Sequence, residues 1–407
     1  MLEPTKTTKA DKIVIFYRFF LLIGNNIFNV YLIFLFKMKI NQITLLFLFF
    51  LISFDTFAQK TSFLNADGFF SIGTQSNRTA SITLIDIDKD GDLDALVANG
   101  RHWAEQNYLY YNDGKGGFKL AQSIGRFLDA SYAIKAADFN NDGFMDIALV
   151  NDNVENMLYF GSENNYFEKQ TSFGNISPSR NLEIADIDND GDIDLIISNR
   201  KAKNEICLND GKGNFDTSIF FGEDTDQTIQ TQIIDINNDG FLDLLTAERQ
   251  GKNKIYLNDE KQSFSKVLTF GNQEEETRSI DVADINKDGF LDIVTGNLGT
   301  KNIIYWGGNN LKFEDSLIVS QNHTTASIKV ADLDNDGNLD IIEGNSEQAN
   351  YVYLGKGNNL FEEVVLNEDN KDDTYHITIG DLNNDGLLDI VESNSQSWNL
   401  YYRTLKK

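Results

Sequence analysis

The chain has 407 residues and a formal net charge of −27 at pH 7, so nucleic acid and anionic membrane surfaces, which are themselves negative, are not expected as partners. Its single cysteine, Cys207, cannot form an intrachain disulfide, and one cysteine with three histidines cannot build a zinc or iron cluster. A chain of this length would ordinarily form two or three domains, but the repeat described below overrides that expectation.

The N-terminal segment has the pattern of an export signal. From Met38, a lysine is followed by an apolar run and then by Thr56 and Ala58, small residues that fit signal-peptidase cleavage after Ala58. We therefore expect a signal peptide at residues 38–58 and an exported protein (periplasm, cell surface or extracellular) with no membrane attachment after cleavage. Residues 1–37 are rich in Ile, Phe, Asn, Lys and Leu, as translated AT-rich DNA is, and are interpreted as an extension upstream of the true start. A membrane anchor at residues 13–36 is the alternative, weakened by Arg18 and the adjacent Asn25 and Asn26.

One acidic motif recurs along the rest of the chain. The pattern Asp-x-(Asp/Asn)-x-Asp-Gly-x-x-Asp occurs seven times, with successive copies 52, 48, 49, 49, 48 and 49 residues apart. The copies begin at Asp86, Asp138, Asp186, Asp235, Asp284, Asp332 and Asp381. Seven copies at one period predict a single repeat domain at residues 59–407.

Each repeat contains the patterns of four short strands. An alternating segment such as SITLID precedes the motif, an apolar segment such as LDALVAN follows it, a third segment begins at an Asn, and a fourth follows a turn rich in Gly and Asn. The helical periodicity that a helical solenoid needs is absent. Four antiparallel strands in each of seven repeats predict an all-β fold, the seven-bladed β-propeller.

The chain ends favour a closed ring over a linear array of calcium modules. A Phe recurs with the fourth strand at Phe118, Phe167, Phe215, Phe264, Phe313 and Phe361. Counting back one period from Phe118 gives Phe69, ahead of the first motif, whereas the last repeat ends before its fourth strand. We therefore predict that an N-terminal strand completes the last blade and closes the ring, which removes the exposed sheet edges.

The motif itself has the donor pattern of a calcium loop. Positions 1, 3 and 5 offer side-chain oxygens, position 7 a backbone carbonyl and position 9 a carboxylate, and six or seven hard oxygens suit Ca²⁺ better than Mg²⁺. Position 12 is Val97 in the first copy rather than the Glu of an EF-hand, and strands rather than helices flank the loop. Acidic turns without metal are the plain alternative. The predicted ligands of about seven structural calcium ions are Asp86, Asp88, Asp90, Asp92, Asp94, Asp138, Asn140, Asp142, Phe144, Asp146, Asp186, Asp188, Asp190, Asp192, Asp194, Asp235, Asn237, Asp239, Phe241, Asp243, Asp284, Asn286, Asp288, Phe290, Asp292, Asp332, Asp334, Asp336, Asn338, Asp340, Asp381, Asn383, Asp385, Leu387 and Asp389.

These motifs resemble those of the FG-GAP/VCBS repeat propellers, which include the integrin α-subunit head and many secreted bacterial proteins. The FG element stands at Phe173-Gly174, Phe221-Gly222 and Phe270-Gly271, and it becomes Ile-Gly at Ile72-Gly73 and Ile124-Gly125. Ala-Asp or Gly-Asp replaces the GAP element, which favours the bacterial branch. The resemblance, over about residues 62–403, implies calcium in the loop between the first and second strands of every blade.

The first repeat departs from the others at one place. Its third-strand Asn comes thirteen residues after the last Asp of the motif rather than ten, and the three extra residues fall in a loop that carries Arg101, His102, Trp103 and Glu105. We predict that this loop binds the ligand, with Trp103 as a stacking surface. The alternative is that Trp103 packs over a neighbouring blade.

A second feature of the face opposite the motifs is a ring of hydroxyls. A Ser or Thr lies seven residues before every motif, at Thr79, Ser131, Ser179, Thr228, Thr277, Thr325 and Thr374. These hydroxyls could line a funnel for a polar ligand, or they could cap the start of each strand locally.

Three function classes fit the sequence. A monomeric, calcium-stabilised recognition module that binds an extracellular protein or glycan is the favoured reading. A polysaccharide lyase or glycosidase on a propeller scaffold is the first alternative, but the sequence lacks a nucleophile elbow, a His-centred triad or a separate catalytic domain, so we do not expect an enzyme. A structural or assembly scaffold for surface proteins is the second alternative.

Overall fold

A computed structural model describes residues 60–406 apart from 66–69, 119, 164–166, 168, 260, 314, 367 and 370. The expected signal peptide, the segment upstream of it and Phe69 lie outside these residues. The described residues form 29 strands and no helix, and so no helix among them is long and apolar enough to cross a membrane.

The strands form seven antiparallel sheets, one for each repeat. Blade 1 contains β3 (Thr79–Ile85), β4 (Asp94–Asn99), β5 (Glu105–Tyr111) and β6 (Leu120–Asp129). Blade 2 contains β7 (Ser131–Ala137), β8 (Asp146–Asn151), β9 (Asn156–Phe160) and β10 (Lys169–Phe173). Blade 3 contains β11 (Ser179–Ala185), β12 (Asp194–Asn199), β13 (Asn204–Leu208) and β14 (Thr217–Phe221). Blade 4 contains β15 (Thr228–Ile234), β16 (Asp243–Glu248), β17 (Asn253–Leu257) and β18 (Lys266–Phe270).

The remaining blades repeat this order. Blade 5 contains β19 (Thr277–Ala283), β20 (Asp292–Asn297), β21 (Lys301–Tyr305) and β22 (Ser316–Gln321). Blade 6 contains β23 (Thr325–Ala331), β24 (Asp340–Asn345), β25 (Tyr351–Gly355) and β26 (Phe361–Val365). Blade 7 contains β27 (Asp373–Gly380), β28 (Asp389–Ser395) and β29 (Asn399–Lys406), with β1 (Thr61–Leu64) and β2 (Ser71–Ile72) on its outer side. The fold is the predicted seven-bladed β-propeller.

The hydrophobic core lies between the blades rather than within them. The buried apolar residues form seven clusters, and each joins two adjacent blades. The second strands are buried along their whole length, as Asp94–Asn99 illustrates, because blades pack on both of their faces. One cluster joins Val391 and Tyr401 of blade 7 to Ile82 and Val97 of blade 1, so the ring of packing is continuous.

The last blade is completed by the N-terminus, as predicted, although two short strands do this rather than one. Ser71 and Ile72 pair with Leu400 and Asn399, and β1 pairs with the far half of β29, from Arg403 to Lys406. Ile72 pairs with Asn399 as Phe173 pairs with Asn156 in blade 2, so Ile72 takes the place of the FG phenylalanine.

The recurrent Phe lies just before the fourth strand in most blades rather than inside it. Phe118 precedes β6 and packs edge-on against Tyr401 of blade 7, with ring centroids 6.1 Å apart. Phe264 of blade 4 packs against Phe221 of blade 3, with ring centroids 6.2 Å apart. The side chain therefore fills the interface with the preceding blade, which explains why it recurs at the repeat period.

Acidic loops on one face and a candidate binding site on the other

Each acidic motif forms the loop between the first and second strands of its blade, as predicted. The loop is held in a fixed form by its own backbone. In the first copy, the N–H groups of Asp90 and Gly91 donate to the two oxygens of Asp86 at 3.1 Å each, and Asp92 N–H donates to Asp90 at 2.9 Å. The same three hydrogen bonds recur in the other six copies.

Two positions of the loop need a left-handed backbone. Glycine at position 6 has φ between +85° (Gly337) and +97° (Gly191). A Cβ atom at Gly91 would meet nothing within 4 Å, so the conformation and not the space requires glycine there. Position 4 also has positive φ in all seven copies and is Asn or Lys, and Asn tolerates this region better than most residues.

The Asp at position 9 begins the second strand and is buried in every blade. In blade 1 one oxygen of Asp94 accepts from the N–H of Ile87 at 3.3 Å and the other accepts from the N–H of Asn112 at 2.8 Å. Burial raises the pKa of Asp94 to about 6 and the pKa values of Asp194 and Asp340 to about 7. A carboxylate held this far from water is stabilised by a neighbouring cation.

The donor set fits a divalent cation. In three loops, carboxylate oxygens from three aspartates lie within 4.8 Å of one another: Asp86, Asp88 and Asp94; Asp186, Asp188 and Asp194; Asp332, Asp334 and Asp336. These are the three copies with Asp rather than Asn at position 3. Ca²⁺ would be held by the side-chain oxygens of positions 1, 3, 5 and 9 and by the backbone carbonyl of position 7. Its charge would offset the repulsion among the carboxylates.

Neighbouring loops are in contact around the ring. In five of the seven loops, the side chain at position 4 donates to position 6 or 7 of the next loop. Lys89 Nζ donates to Gly143 O at 2.6 Å, and Asn335 Nδ2 donates to Gly386 O at 2.7 Å. Asn384 of the last loop donates to Asp92 of the first at 2.6 Å. The acidic loops therefore occupy one face of the propeller together.

On the opposite face, the ring of hydroxyls is buried and consists of links between blades. All seven Ser and Thr side chains are inaccessible to solvent. Ser131 of blade 2 donates to Asn151 of its own blade at 2.8 Å and accepts from Asn107 of blade 1 at 2.9 Å. Asn399 of blade 7 donates to Thr79 of blade 1 at 3.1 Å, so the links also cross the closure. These hydroxyls do not line a funnel, and all of them except Ser179 accept a hydrogen bond from an amide of the preceding blade.

The inserted loop of blade 1 lies between blades 7 and 2. Arg101 forms an ion pair with Asp373 of blade 7 at 2.8 Å and lies 4.4 Å from the ring centre of Tyr375. His102 reaches the other way, with Nδ1 3.2 Å from Asp152 and Nε2 2.9 Å from the hydroxyl of Tyr132. The structure thus places both predicted ligand-binding residues at the rim of the central channel, where they contact neighbouring blades.

Trp103 and Glu105 lie on the outer side of the same loop. Glu105 accepts from the backbone N–H of Arg78 at 2.6 Å, and the guanidinium of Arg78 lies 5.5 Å from the ring centre of Trp103. Trp103 remains 64% exposed, whereas Trp306 packs against the core cluster between blades 5 and 6. The side chain of Trp103 is therefore not buried against a neighbouring blade.

Blade 1 also has a second exposed apolar segment next to this loop. Its fourth strand continues past Gly125, and Asp129 pairs with Glu105. Phe127 is 75% exposed and Leu128 is 59% exposed. Trp103, Phe127 and Leu128, here called the blade 1 edge, form part of the face opposite the acidic loops.

The central channel opens on the same face and is lined by the first strands. A β-bulge interrupts each of these strands immediately after the hydroxyl residue. All seven bulged residues line the channel mouth: Ala80, Tyr132, Arg180, Ile229, Arg278, Ala326 and Tyr375. Bulges redirect side chains at the rims of closed sheets, and here they turn one variable residue of every blade toward the channel.

A profile of the FG-GAP-like repeat matches residues 86–149, 138–197, 186–246, 235–295, 286–343 and 332–392. The chain belongs to the FG-GAP repeat family. Each matched segment of this FG-GAP propeller runs from one acidic loop, or just inside it, to the second strand of the following blade, so the matches include all seven loops. No curated protein sequence is significantly similar to the chain.

Solved structures share the fold at low sequence identity. Two crystal structures of BBS1N in complex with ARL6DN, one soaked with mercury and one with lead, each superpose with a TM-score of 0.56 and 12% identity. The matches cover 85% and 84% of this chain and 98% and 96% of the other. At this identity the similarity concerns the propeller architecture.

The sequence interpretation did not identify the arginines around the channel mouth. Arg180 and Arg278 follow the hydroxyl residue of their blades, and Arg200 and Arg249 follow the last residue of the second strand. Aligning the seven repeats at these two positions would have revealed the arginines, because the other copies have mainly small or apolar residues there.

Proposed function

We propose that this FG-GAP propeller is a recognition module of an exported, monomeric protein, which binds a protein partner on the face opposite its acidic loops and is stabilised by calcium at those loops. The blade 1 edge carries the proposal. Three large apolar side chains that are at least 59% exposed lie on the inserted loop and the end of β6 in one blade, and such groups mark interaction surfaces.

The different composition of the two faces of the propeller supports this proposal. The acidic loops are tied to one another and have side-chain and carbonyl oxygens suited to a structural cation, which leaves the opposite face for recognition. The BBS1N propeller, in its crystal structures, is in complex with another protein. Export is supported by the pattern of residues 38–58.

A glycan is the second candidate ligand. Trp103 offers an exposed ring face, with polar side chains of Arg78, Arg101 and His102 on the same loop or beside it. Phe127 and Leu128 favour a protein instead, because neither offers the polar groups that accompany sugar recognition.

The test uses the mature protein immobilised in calcium buffer and the extracellular protein fraction of its source organism. A Trp103→Ala/Phe127→Ala variant should lose the captured partner, and the purified partner should bind the variant about tenfold or more weakly. Leu360→Ala is the matched control, since Leu360 is 64% exposed in the turn of blade 6 on the acidic-loop face. Binding to a glycan array tests the glycan-binding alternative, and turnover of any bound glycan tests the enzyme alternative. Equal capture by both variants, or turnover of a bound glycan, would contradict the proposal.

A further inference from the structure

Four arginines lie close together in this strongly acidic protein: Arg180 and Arg278 line the channel mouth, and Arg200 and Arg249 lie beside them. Arg180 is buried, forms an ion pair with Asp152 at 2.9 Å and lies 4.3 Å from the ring centre of Tyr132. Arg249 and Arg278 share a single carboxylate, Glu276, at 2.7 and 2.5 Å. Two cations on one carboxylate leave positive charge unbalanced on this side of the mouth.

Arg200 adds a cation that makes no ion pair with any of the described residues. Its backbone is fixed by a hydrogen bond from its N–H to Pro178 O at 3.1 Å and by a bridge to Gln227. Among the described residues its side chain has no hydrogen bond or ion pair, although its Nε atom is buried. Burial, and next the charge of Arg180, lower the pKa of Arg200, and Arg249 acts in the same direction. The charge of Asp152 opposes this shift, but Asp152 already pairs with Arg180 and His102.

An arginine in this position lacks a structural reason. A buried donor without a partner destabilises the folded state, and adjacent like charges destabilise it further. Nothing in the fold requires Arg at this point, because the equivalent residue is Asp152 in blade 2 and Leu298 in blade 5. A guanidinium that makes no ion pair within the protein, and that lies beside other arginines, is instead suited to an anion supplied by a ligand.

We propose that Arg200, with Arg249 and Arg278, binds a carboxylate side chain of an acidic peptide segment that lies across the channel mouth. The fork of donors on a guanidinium matches a carboxylate in a bidentate manner. The proposal rests on the proposed function, because it names the chemistry of the partner on that face.

A peptide is favoured over an acidic sugar by the surroundings of the mouth. The exposed apolar groups on the same face include Trp103, Phe127 and Leu128, and they suit the apolar side chains of a peptide. The net charge of −27 repels anions from most of the surface. An acidic ligand is therefore expected to bind only beside the arginine cluster, where the local charge is positive.

The experiment measures binding of a hexaglutamate peptide to the mature protein in calcium buffer by titration calorimetry. Arg200→Gln should weaken binding by about tenfold, and Arg200→Gln/Arg249→Gln should abolish it. Lys201→Gln is the matched control: it removes one positive charge from the next residue, which is exposed and also has positive φ, and should change the affinity by less than about twofold. Raising the salt concentration should weaken binding to the wild type and reduce the difference from Arg200→Gln.

Melting temperatures distinguish a ligand site from a structural role. Arg200→Gln should melt at the same temperature as the wild type or higher, since no native partner of its side chain is lost. Equal peptide affinity in Arg200→Gln and Lys201→Gln would overturn the proposal, as would tighter binding of pentagalacturonate than of hexaglutamate. If Arg200→Gln binds the captured partner normally while Trp103→Ala/Phe127→Ala does not, this inference fails and the proposed function stands. If neither variant affects the partner, the proposed binding face itself is wrong.

Discussion

Single hydroxyl groups hold adjacent blades together in this propeller. The hydroxyl at the start of the first strand accepts from an amide of the preceding blade in all blades except blade 3. It donates to a residue at the end of the second strand of its own blade in all blades except blade 5. Such groups are buried, so each contributes mainly through the penalty that follows when its partners lose their hydrogen bonds.

The chain offers a matched pair for testing this contribution. Ser131 links Asn107 to Asn151, whereas Ser179 bonds Asn199 but receives nothing from Asn156, whose Nδ2 atom is buried without a partner. Ser131→Ala should therefore lower the free energy of unfolding by about 2–3 kcal/mol, and Ser179→Ala by about 1 kcal/mol. Urea unfolding monitored by tryptophan fluorescence measures both. Equal losses would mean that the link between blades adds nothing to the local hydrogen bond.

The recurrence of these hydroxyls was visible in the sequence, but their role was not. A position that is always Ser or Thr predicts a requirement for a hydroxyl without naming its partner. The partner of Ser131 is Asn107, 24 residues earlier in a different blade, and only the packing of one blade on the next brings the two together. Arg200 was missed for a related reason, since its environment is made by blades 2, 3 and 4 jointly.

Among the elements, the acidic loops were the best predicted. Every loop lies where its motif placed it, because the ligand pattern, the glycine and the flanking apolar residues are all local in sequence. Ile87 and its six counterparts at position 2 are buried, as the pattern required. The β-bulges of the first strands were not predicted, since they shift the register within otherwise regular alternation and have no fixed residue type.

The loops are not equivalent, and calcium should reveal this. We expect about seven ions, a melting temperature that falls by about 10 °C or more in excess chelator, and poor restoration by Mg²⁺. The loops with Asp at position 3 should form a tighter class, and Asp88→Asn should remove one member from it. Calorimetric titration of the stripped protein measures the classes.

The control for this change is in the same loop. Asp92→Asn removes the same charge at position 7, where the backbone carbonyl and not the side chain is the expected ligand, and its amide oxygen can still accept from Asn384. Asp92→Asn should therefore leave the number of high-affinity calcium sites unchanged. Seven identical sites, or an unchanged melting curve in chelator, would show that the loops are acidic turns without structural metal.

At the scale of the molecule, the ring depends on its closure. Blade 7 receives its outer strands from the N-terminus, and the seam is reinforced by Phe70, which stacks on Tyr401 at 5.1 Å and lies 4.4 Å from the guanidinium of Arg403. The sequence predicted this closure from the offset between the Phe series and the acidic motifs. It did not predict the division into two strands, because Thr61–Leu64 pairs beyond the part of β29 that is equivalent to the other third strands.

Removing residues 59–74 should therefore open the ring. The truncated protein loses Ile72 from the cluster between blades 7 and 1 and exposes the edge of β29, so its free energy of unfolding should fall by about 3–5 kcal/mol and it should self-associate through the unpaired edge. Size-exclusion chromatography and thermal melting measure both effects. A synthetic peptide of residues 60–74 added in excess should restore the monomer and raise the melting temperature, whereas the same peptide with Ile72→Asp should not, because Ile72 is 2% exposed in the closed ring. A truncated protein that stays monomeric and melts like the full domain would mean that the interface between blades 7 and 1 holds the ring closed without the N-terminal strands.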